Sequence, residues 1–341
     1  MFISGLRLGP RVEKAIKDSG VKTESELFTY GQKMTTFLLH SKSNNTNKKY
    51  YYSFNRWKKF ASDHDLNDLP AQSIHIALYI TSLIDKHSSH YVVESALYAI
   101  KWAHDLNGYT DPTDNSFVKS LLESAKRLNA KSVVKKDPVN SEMLIELCSL
   151  YAGSFDLLIL RDLCMILIAY SGFLRFDEIS NLRCKDVQFY DDHIKNFISK
   201  SKTDQYRHGN EILISTGSTV ACPVNMLSRY MSIAKLDNKS DHFIFKPMFR
   251  SKGVAHLIHK NKPISYTTAR ENIVKRLKEV APNLNLGLHS LRSGGASAAA
   301  KADVNERCIK RHGRWKTDFV KDCYIADTFD KRIAVTKKLG L

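Results

Sequence analysis

Between Leu157 and Leu174 the chain is apolar at nearly every position, interrupted near its start by Arg161 and Asp162. A helix with apolar residues on every side has no face to show to water, so other elements must wrap it. The charged pair makes it a core helix and not a membrane span. Asp156 to Leu174 is therefore read as one long buried helix.

At 341 residues the chain exceeds what one small core organises, and two domains are expected. Its 52 Lys+Arg against 35 Asp+Glu leave a formal charge of +17. Such an excess favours a polyanionic partner, because each phosphate neutralised by Lys or Arg releases condensed counterions. Ribosomal, membrane-surface and heparin-binding proteins are also basic, so charge alone does not select nucleic acid. Cys148, Cys164, Cys184, Cys222, Cys308 and Cys323 form no CxxC pair and lie in apolar or helical sequence. They read as reduced thiols of an intracellular protein. Met1 to Lys14 contains no apolar run followed by a small-residue cleavage site. A soluble, intracellular protein with no membrane partner is expected, placed in the nucleus of a eukaryote or the cytoplasm and nucleoid of a bacterium.

Residues 1–45 end in the polar run Ser41 to Asn45 and read as an N-terminal arm or extra helix. Residues 46–130 carry four amphipathic patterns separated by turn residues, the mark of a small helical domain. Their apolar faces are Tyr51, Phe54 and Trp57; Ile74, Leu78 and Ile84 with Ala77; Val93, Leu97 and Ile100; and Phe117, Leu121, Ala125 and Leu128. Lys48, Lys49, Arg56, Lys58 and Lys59 surround the first stripe, and Lys119, Lys126, Arg127 and Lys131 lie farther on. Charges on a helix are usually only a solvated face; this density points to a DNA-facing surface.

Residues 131–139, basic and ending near Pro138, read as a linker to a domain over 140–341. A helix starts there at Asn140 or Ser141. Val187–Tyr190, Ile194–Ser199 and Glu211–Ser215 are short, β-rich and turn-bounded, which predicts a small antiparallel sheet. Helical patterns return at Val224–Ala234, Thr267–Ala281, Ser290–Ala300, Val304–Arg311 and Asp318–Ala326. The fold class is thus mainly α, with α+β character in the second domain.

Reactive residue types concentrate in four pieces of that domain. Gly172 closes the buried helix, Arg175 follows at the turn, and Glu178 can face back toward it. By itself this is a helix-end arginine paired for structure. Lys202 lies between two expected strands, with Lys200 two residues away on the same side. A lysine at a hairpin tip is ordinarily just solvated. His289 and Arg292 stand three residues apart at a helix start, where backbone N–H groups also favour an anion. The Gly294-Gly295 pair after them allows close helix packing. Gly313-Arg314-Trp315 precedes Tyr324, which falls on an expected helix, where a lone tyrosine usually packs. Together, two arginines, a histidine, a lysine and an indole N–H are donors for a phosphodiester and its transition state. A phenol can serve as the oxygen nucleophile. No carboxylate cluster with metal spacing and no phosphate-binding glycine loop accompanies them, so neither metal nor ATP is indicated as a cofactor.

The order Arg175, Lys202, His289-x-x-Arg292, Trp315, Tyr324 resembles the tyrosine recombinase (phage integrase) family. The text around it, Arg161-Asp162-Leu163-Cys164 and Tyr170-Ser171-Gly172-Phe173-Leu174-Arg175, is similar to the family's first arginine box. The resemblance runs from about Thr46 to Leu341. Trp315, where many members have histidine, is similar to the phage recombinase Cre. Ser293-Gly294-Gly295 and Gly313-Arg314-Trp315 resemble recombinases of eukaryotic mobile elements of the DIRS type.

The resemblance implies two domains clamping duplex DNA and a homotetramer on two sites. It implies that Tyr324 forms a 3′-phosphotyrosine, that Arg175 and Arg292 bind the non-bridging oxygens, and that His289 assists proton transfer. Trp315 would donate to the phosphate, and Lys202 would protonate the leaving 5′-oxygen. Glu178 would orient the arginines, and the tail 325–341 would dock on a neighbouring subunit. Lys48, Lys49, Arg56, Lys59 and Lys200 are the expected DNA contacts, and whether Lys202 or Lys200 is the general acid stays open. His312 reads as DNA-proximal or structural, since Trp315 has the better spacing to Tyr324. An active recombinase of a mobile element is the leading reading. A catalytically silent, domesticated DNA-binding protein and a relaxing topoisomerase are the rivals. The full set of catalytic residue types disfavours the first rival, and the small N-terminal helical domain disfavours the second.

Overall fold

The computed structural model describes residues 8–130, 134–201, 204, 209–327 and 329–340. The chain divides into two compact units, Met1–Val133 and Val134–Leu341.

The first unit is helical. It begins with α1 (Leu8–Asp18) and α2 (Glu26–His40), two helices where sequence led us to expect an arm or a single helix. Then come α3 (Asn44–Asp63), α4 (Ser73–Asp85), α5 (His90–Leu106) and α6 (Ser116–Leu128). Side-chain caps start several of them: Ser25, Ser43 and Asn115 accept from the N–H groups of Phe28, Thr46 and Phe117. Phe54, Trp57, Ile76, Ile80, Val93, Leu97, Ile100 and Ala125 form the core. Two side chains pin the long α3–α4 connection. The Trp57 indole donates to the Asp68 carbonyl at 2.9 Å, and Nε2 of buried His104 accepts from the Ala71 N–H at 2.9 Å. The inward faces of α4 and α6 differ from expectation. Ala77 and Ala125 turn in as expected, but Ile74, Leu78, Phe117 and Leu128 are exposed, and Ile76, Ile80 and Val118 turn in instead. Both helices carry apolar residues on more than one side, so periodicity alone does not choose the face.

The second unit is arranged around the expected buried helix. α7 (Ser141–Leu150) leads to α8 (Leu157–Ser171), whose residues Leu160 to Ala169 are all buried. Asp156 caps α8 by accepting from Leu158 N–H, and Gly172 ends it. After the short α9 (Phe176–Ser180), strands β1 (Val187–Phe189), β2 (His193–Ile198) and β3 (Asn210–Ser215) form an antiparallel sheet in that order. α10 (Pro223–Ile233) and a further hairpin, β4 (Met248–Ser251) with β5 (Val254–Leu257), follow. This hairpin has no strong turn signal; Lys252 and Gly253 both take left-handed backbone to make it. α11 (Tyr266–Val280), α12 (Leu288–Lys301), α13 (Glu306–His312), α14 (Asp318–Asp322) and α15 (Phe329–Lys337) complete the unit. Residues 137–139, within the stretch read as linker, are tied to this unit: Asp137 N–H donates to Asn285 and Val139 N–H to Ser290. Among the described residues no helix is long and apolar enough to cross a membrane.

Candidate active site

The site is assembled where α8, α12 and the α13–α14 region meet. After Gly172 the chain reverses through Phe173, whose φ is +46°, and emerges at Arg175, which precedes α9. Glu178, one turn later, folds back. It accepts from Arg175 N–H at 2.9 Å and from the Arg175 guanidinium at 2.7 Å. The i, i+3 spacing read from sequence thus closes as an ion pair around a buried carboxylate.

α12 brings the second arginine. A Cβ on Gly294 would sit 2.0 Å from the Val139 carbonyl oxygen, and one on Gly295 2.2 Å from that of Tyr170. No side chain fits at either place, so α12 lies directly on backbone and carries Arg292 inward until it is 0% exposed. Its guanidinium donates to the carbonyls of Phe173 and Gly313 and stands 4.0 Å from Glu178 Oε2. The two arginines therefore share one pocket.

The segment after α13 supplies the remaining groups. The Trp315 ring folds over Gly313, where a Cβ would come within 1.9 Å of it. Trp315 is buried, and its Nε1–H has no hydrogen-bond partner among the described residues. Its ring lies 5.5 Å from that of Tyr324, and the Arg292 guanidinium stands 4.6 Å from the Trp315 ring and 5.1 Å from the Tyr324 ring. His289, exposed at the start of α12, is 6.3 Å from the Tyr324 ring. Tyr324 itself is not on a helix, as sequence led us to expect. α14 ends at Asp322, and Tyr324 occupies the turn beyond it. Two serines one helical turn apart on α12 hold that turn. Ser293 donates to the Tyr324 carbonyl at 2.6 Å, and Ser297 accepts from Ala326 N–H at 2.8 Å.

One central residue was not singled out from sequence. Arg314, buried with a left-handed φ of +57°, donates to Glu178 Oε2 at 2.8 Å. It also donates to the carbonyls of Gly172, Phe173 and His312. Its place in Gly-Arg-Trp was visible; its inward direction follows from the backbone turn and was not. His312 is structural: its Nε2 faces the Ser171 carbonyl at 2.8 Å and its ring packs edge-on against Phe173.

The electrostatics follow from three guanidinium groups around one carboxylate. Burial alone would raise the Glu178 pKa, but Arg314, the Arg175 N–H, Arg175 and Arg292 together hold it below its ordinary value. Burial, and then Arg175 and Arg314, push the Arg292 pKa down from its usual range. Such a pocket is short of negative charge, and a phosphate supplies it.

Lys202 and Lys131 lie outside the described residues. Lys200 is exposed just past the end of β2, on neither ladder of the sheet. In the first unit Lys48, Lys49, Arg56 and Lys59 are all exposed on α3, with Lys59 paired to Asp63 at 2.9 Å.

A family model described as the phage integrase family matches residues 140–330. An integrase/recombinase XerD homolog of Selenomonas ruminantium is 27% identical over 292 residues, which cover 84% of this chain and 83% of that protein. Two solved structures share the fold. XerH site-specific recombinase, in a post-cleavage complex with palindromic difH substrate, has a TM-score of 0.55 at 12% identity, covering 87% of this chain and 78% of that one. A lambda integrase dimer bound to a COC′ core site has a TM-score of 0.53 at 16% identity, covering 89% and 96% respectively.

Proposed function

The chain belongs to the phage integrase family, the tyrosine recombinases, and from that premise we propose that it cuts and rejoins double-stranded DNA through a covalent bond to Tyr324. The gathering of Arg175, Arg292, Trp315 and Tyr324 into one electropositive pocket carries this reading.

In the proposed reaction the Tyr324 phenol oxygen attacks the scissile phosphorus while the bond to the 5′-oxygen breaks. A 3′-phosphotyrosine and a 5′-hydroxyl result. Arg175, Arg292 and the Trp315 N–H bind the non-bridging oxygens and stabilise the charge that builds on them. Glu178 orients the arginines. His289 relays the phenol proton, and Lys202 supplies the proton to the leaving oxygen. The phosphotyrosine keeps the energy of the broken phosphodiester, so a 5′-hydroxyl of a partner strand can reverse the step without ATP. Two such rounds through a Holliday junction, in a tetramer on two DNA sites, complete strand exchange. Lys48, Lys49, Arg56, Lys59 and Lys200 are proposed to contact DNA phosphates, which position a protein without reading sequence. α15 exposes Phe329 and Val335, and Leu339 just beyond it is exposed too, which supports docking of the tail on a neighbouring copy.

The test is a duplex recovered from a random-sequence pool by binding, then nicked close to the cleavage point so that cut ends are lost. The wild-type chain should trap covalent DNA that disappears in Tyr324→Phe. Arg175→Ala and Arg292→Ala should bind the duplex and trap none. A mobility shift without any covalent product in the wild type would leave only a DNA-binding protein. Lys202→Ala should slow cleavage and recover with a better 5′ leaving group; a larger defect in Lys200→Ala moves the acid role to Lys200.

A further inference from the structure

Arg314 is the guanidinium of the cluster with no η donor to spare. Nη1 donates to the carbonyls of Gly172 and His312, and Nη2 to the Phe173 carbonyl and Glu178 Oε2. All four η hydrogens are thus used inside the protein, and only the buried Nε–H has no partner among the described residues, whereas Arg292 spends a single bond from each η nitrogen. The residue also holds φ at +57°, a conformation that glycine adopts freely and an L side chain resists. Its neighbour across the carboxylate is telling. Glu178 Oε2 lies 2.8 Å from Arg314 but 4.0 Å from Arg292, just beyond hydrogen-bond reach. We propose that Arg314 is a positioning residue that occupies the Glu178 carboxylate, so that Arg292 is not neutralised by it and remains available to the scissile phosphate.

The physical reason is the cost of an uncompensated buried charge. Without Arg314, the buried Glu178 keeps Arg175 on one oxygen and draws Arg292 onto the other. Three cations and one carboxylate become two and one, and the arginine needed at the phosphate is spent within the protein. This inference rests on the recombinase reading for its effect on cleavage, and stands apart from it in geometry.

The variant of choice is Arg314→Gly, which removes the guanidinium and suits the left-handed backbone. On the nicked duplex, covalent product should form roughly 10- to 100-fold more slowly, the scale of a misplaced catalytic group, with duplex affinity unchanged. Combining it with Glu178→Gln removes the charge that captures Arg292, so the double variant should be faster than Arg314→Gly alone. A merely structural role predicts additive damage. A crystal structure of Arg314→Gly should show Arg292 closed onto Glu178 at about 2.9 Å. Wild-type cleavage by Arg314→Gly, no relief in the double variant, or an unmoved Arg292 would each overturn the proposal. If the glycine variant fails to fold, Arg314→Lys carries the same tests: it keeps a cation without the fork and should slow cleavage, with relief by Glu178→Gln; a lysine variant that cleaves at the wild-type rate, or one without that relief, overturns the proposal. If the wild type traps no DNA, the Tyr324 reading fails, while the crystal comparison still decides the role of Arg314.

Discussion

Trp315 serves two purposes with one side chain. Its ring fills the space over Gly313 and lies 6.1 Å from that of Phe173, so it belongs to the small core of Phe173, Ala296 and Ile309. Its buried indole N–H, lacking an acceptor among the described residues, points to a ligand that completes it. A buried donor left unpaired costs about 1–3 kcal/mol, and a phosphate oxygen relieves it. Trp315→Phe separates the two purposes. It keeps most of the ring contact and removes the donor, so the melting temperature should hold or rise slightly. Covalent product should form roughly 10- to 100-fold more slowly, as for loss of a single transition-state donor. Trp315→His, which retains an N–H, should recover part of the rate. Equal cleavage by the phenylalanine variant and the wild type would assign Trp315 to packing alone.

At the scale of the element, α12 decides the site. Its glycine pair lets the helix rest on the Val139 and Tyr170 backbone, and Arg292, between His289 and those glycines, is buried as a result. A methyl group at Gly295 would meet the Tyr170 carbonyl oxygen at 2.2 Å and the Phe173 ring at 2.7 Å. Backbone cannot step aside, so the helix must move. Gly295→Ala is expected to destabilise the second unit by about 1–3 kcal/mol, as overpacking does, and to slow cleavage more than the stability loss explains. Urea unfolding beside the covalent-trapping rate measures both. The same helix explains what sequence could and could not reveal. The Arg175–Glu178 pairing, the end of α8 at Gly172 and the close packing at Gly294-Gly295 depend on local spacing, and all three were legible. Tyr324 was misplaced onto a helix because its turn is set by Ser293 and Ser297, thirty or so residues earlier in the chain. Arg314 was missed for a related reason: its direction depends on a left-handed backbone that an arginine does not advertise. The outward Ile74 and Leu78 belong to the same class, since a helix apolar on two faces is oriented only by its neighbours.

For the whole molecule, the net charge of +17 bears on DNA affinity, whereas buried histidines bear on stability. His104 in the first unit is neutral by construction. Its Nδ1 faces the Ile100 carbonyl at 2.7 Å as donor, which leaves Nε2 to accept from Ala71 N–H at 2.9 Å. A proton on Nε2 would turn that bond into a clash of donors. Burial lowers its pKa, and the Ile100 carbonyl with Asp111, Asp105 and Asp68 only partly restores it. His312 in the second unit is likewise lowered, by burial first and then by Arg314 and Arg292. Above the ordinary histidine value near 6.5, both states are neutral and neither histidine affects stability. As pH falls below that value, the unfolded chain takes up protons that the native chain refuses, so stability declines until the native values are reached. Trp57 and Trp102 report on the first unit and Trp315 on the second, so fluorescence melting in a Trp315→Phe background follows the first unit alone. Its midpoint should be level from pH 8 to 7 and fall between pH 6.5 and 5. His104→Gln cannot titrate, and its midpoint, lower at neutral pH, should fall by a smaller amount over the same range. Parallel curves for the two proteins would place the acid sensitivity of this unit in some other group.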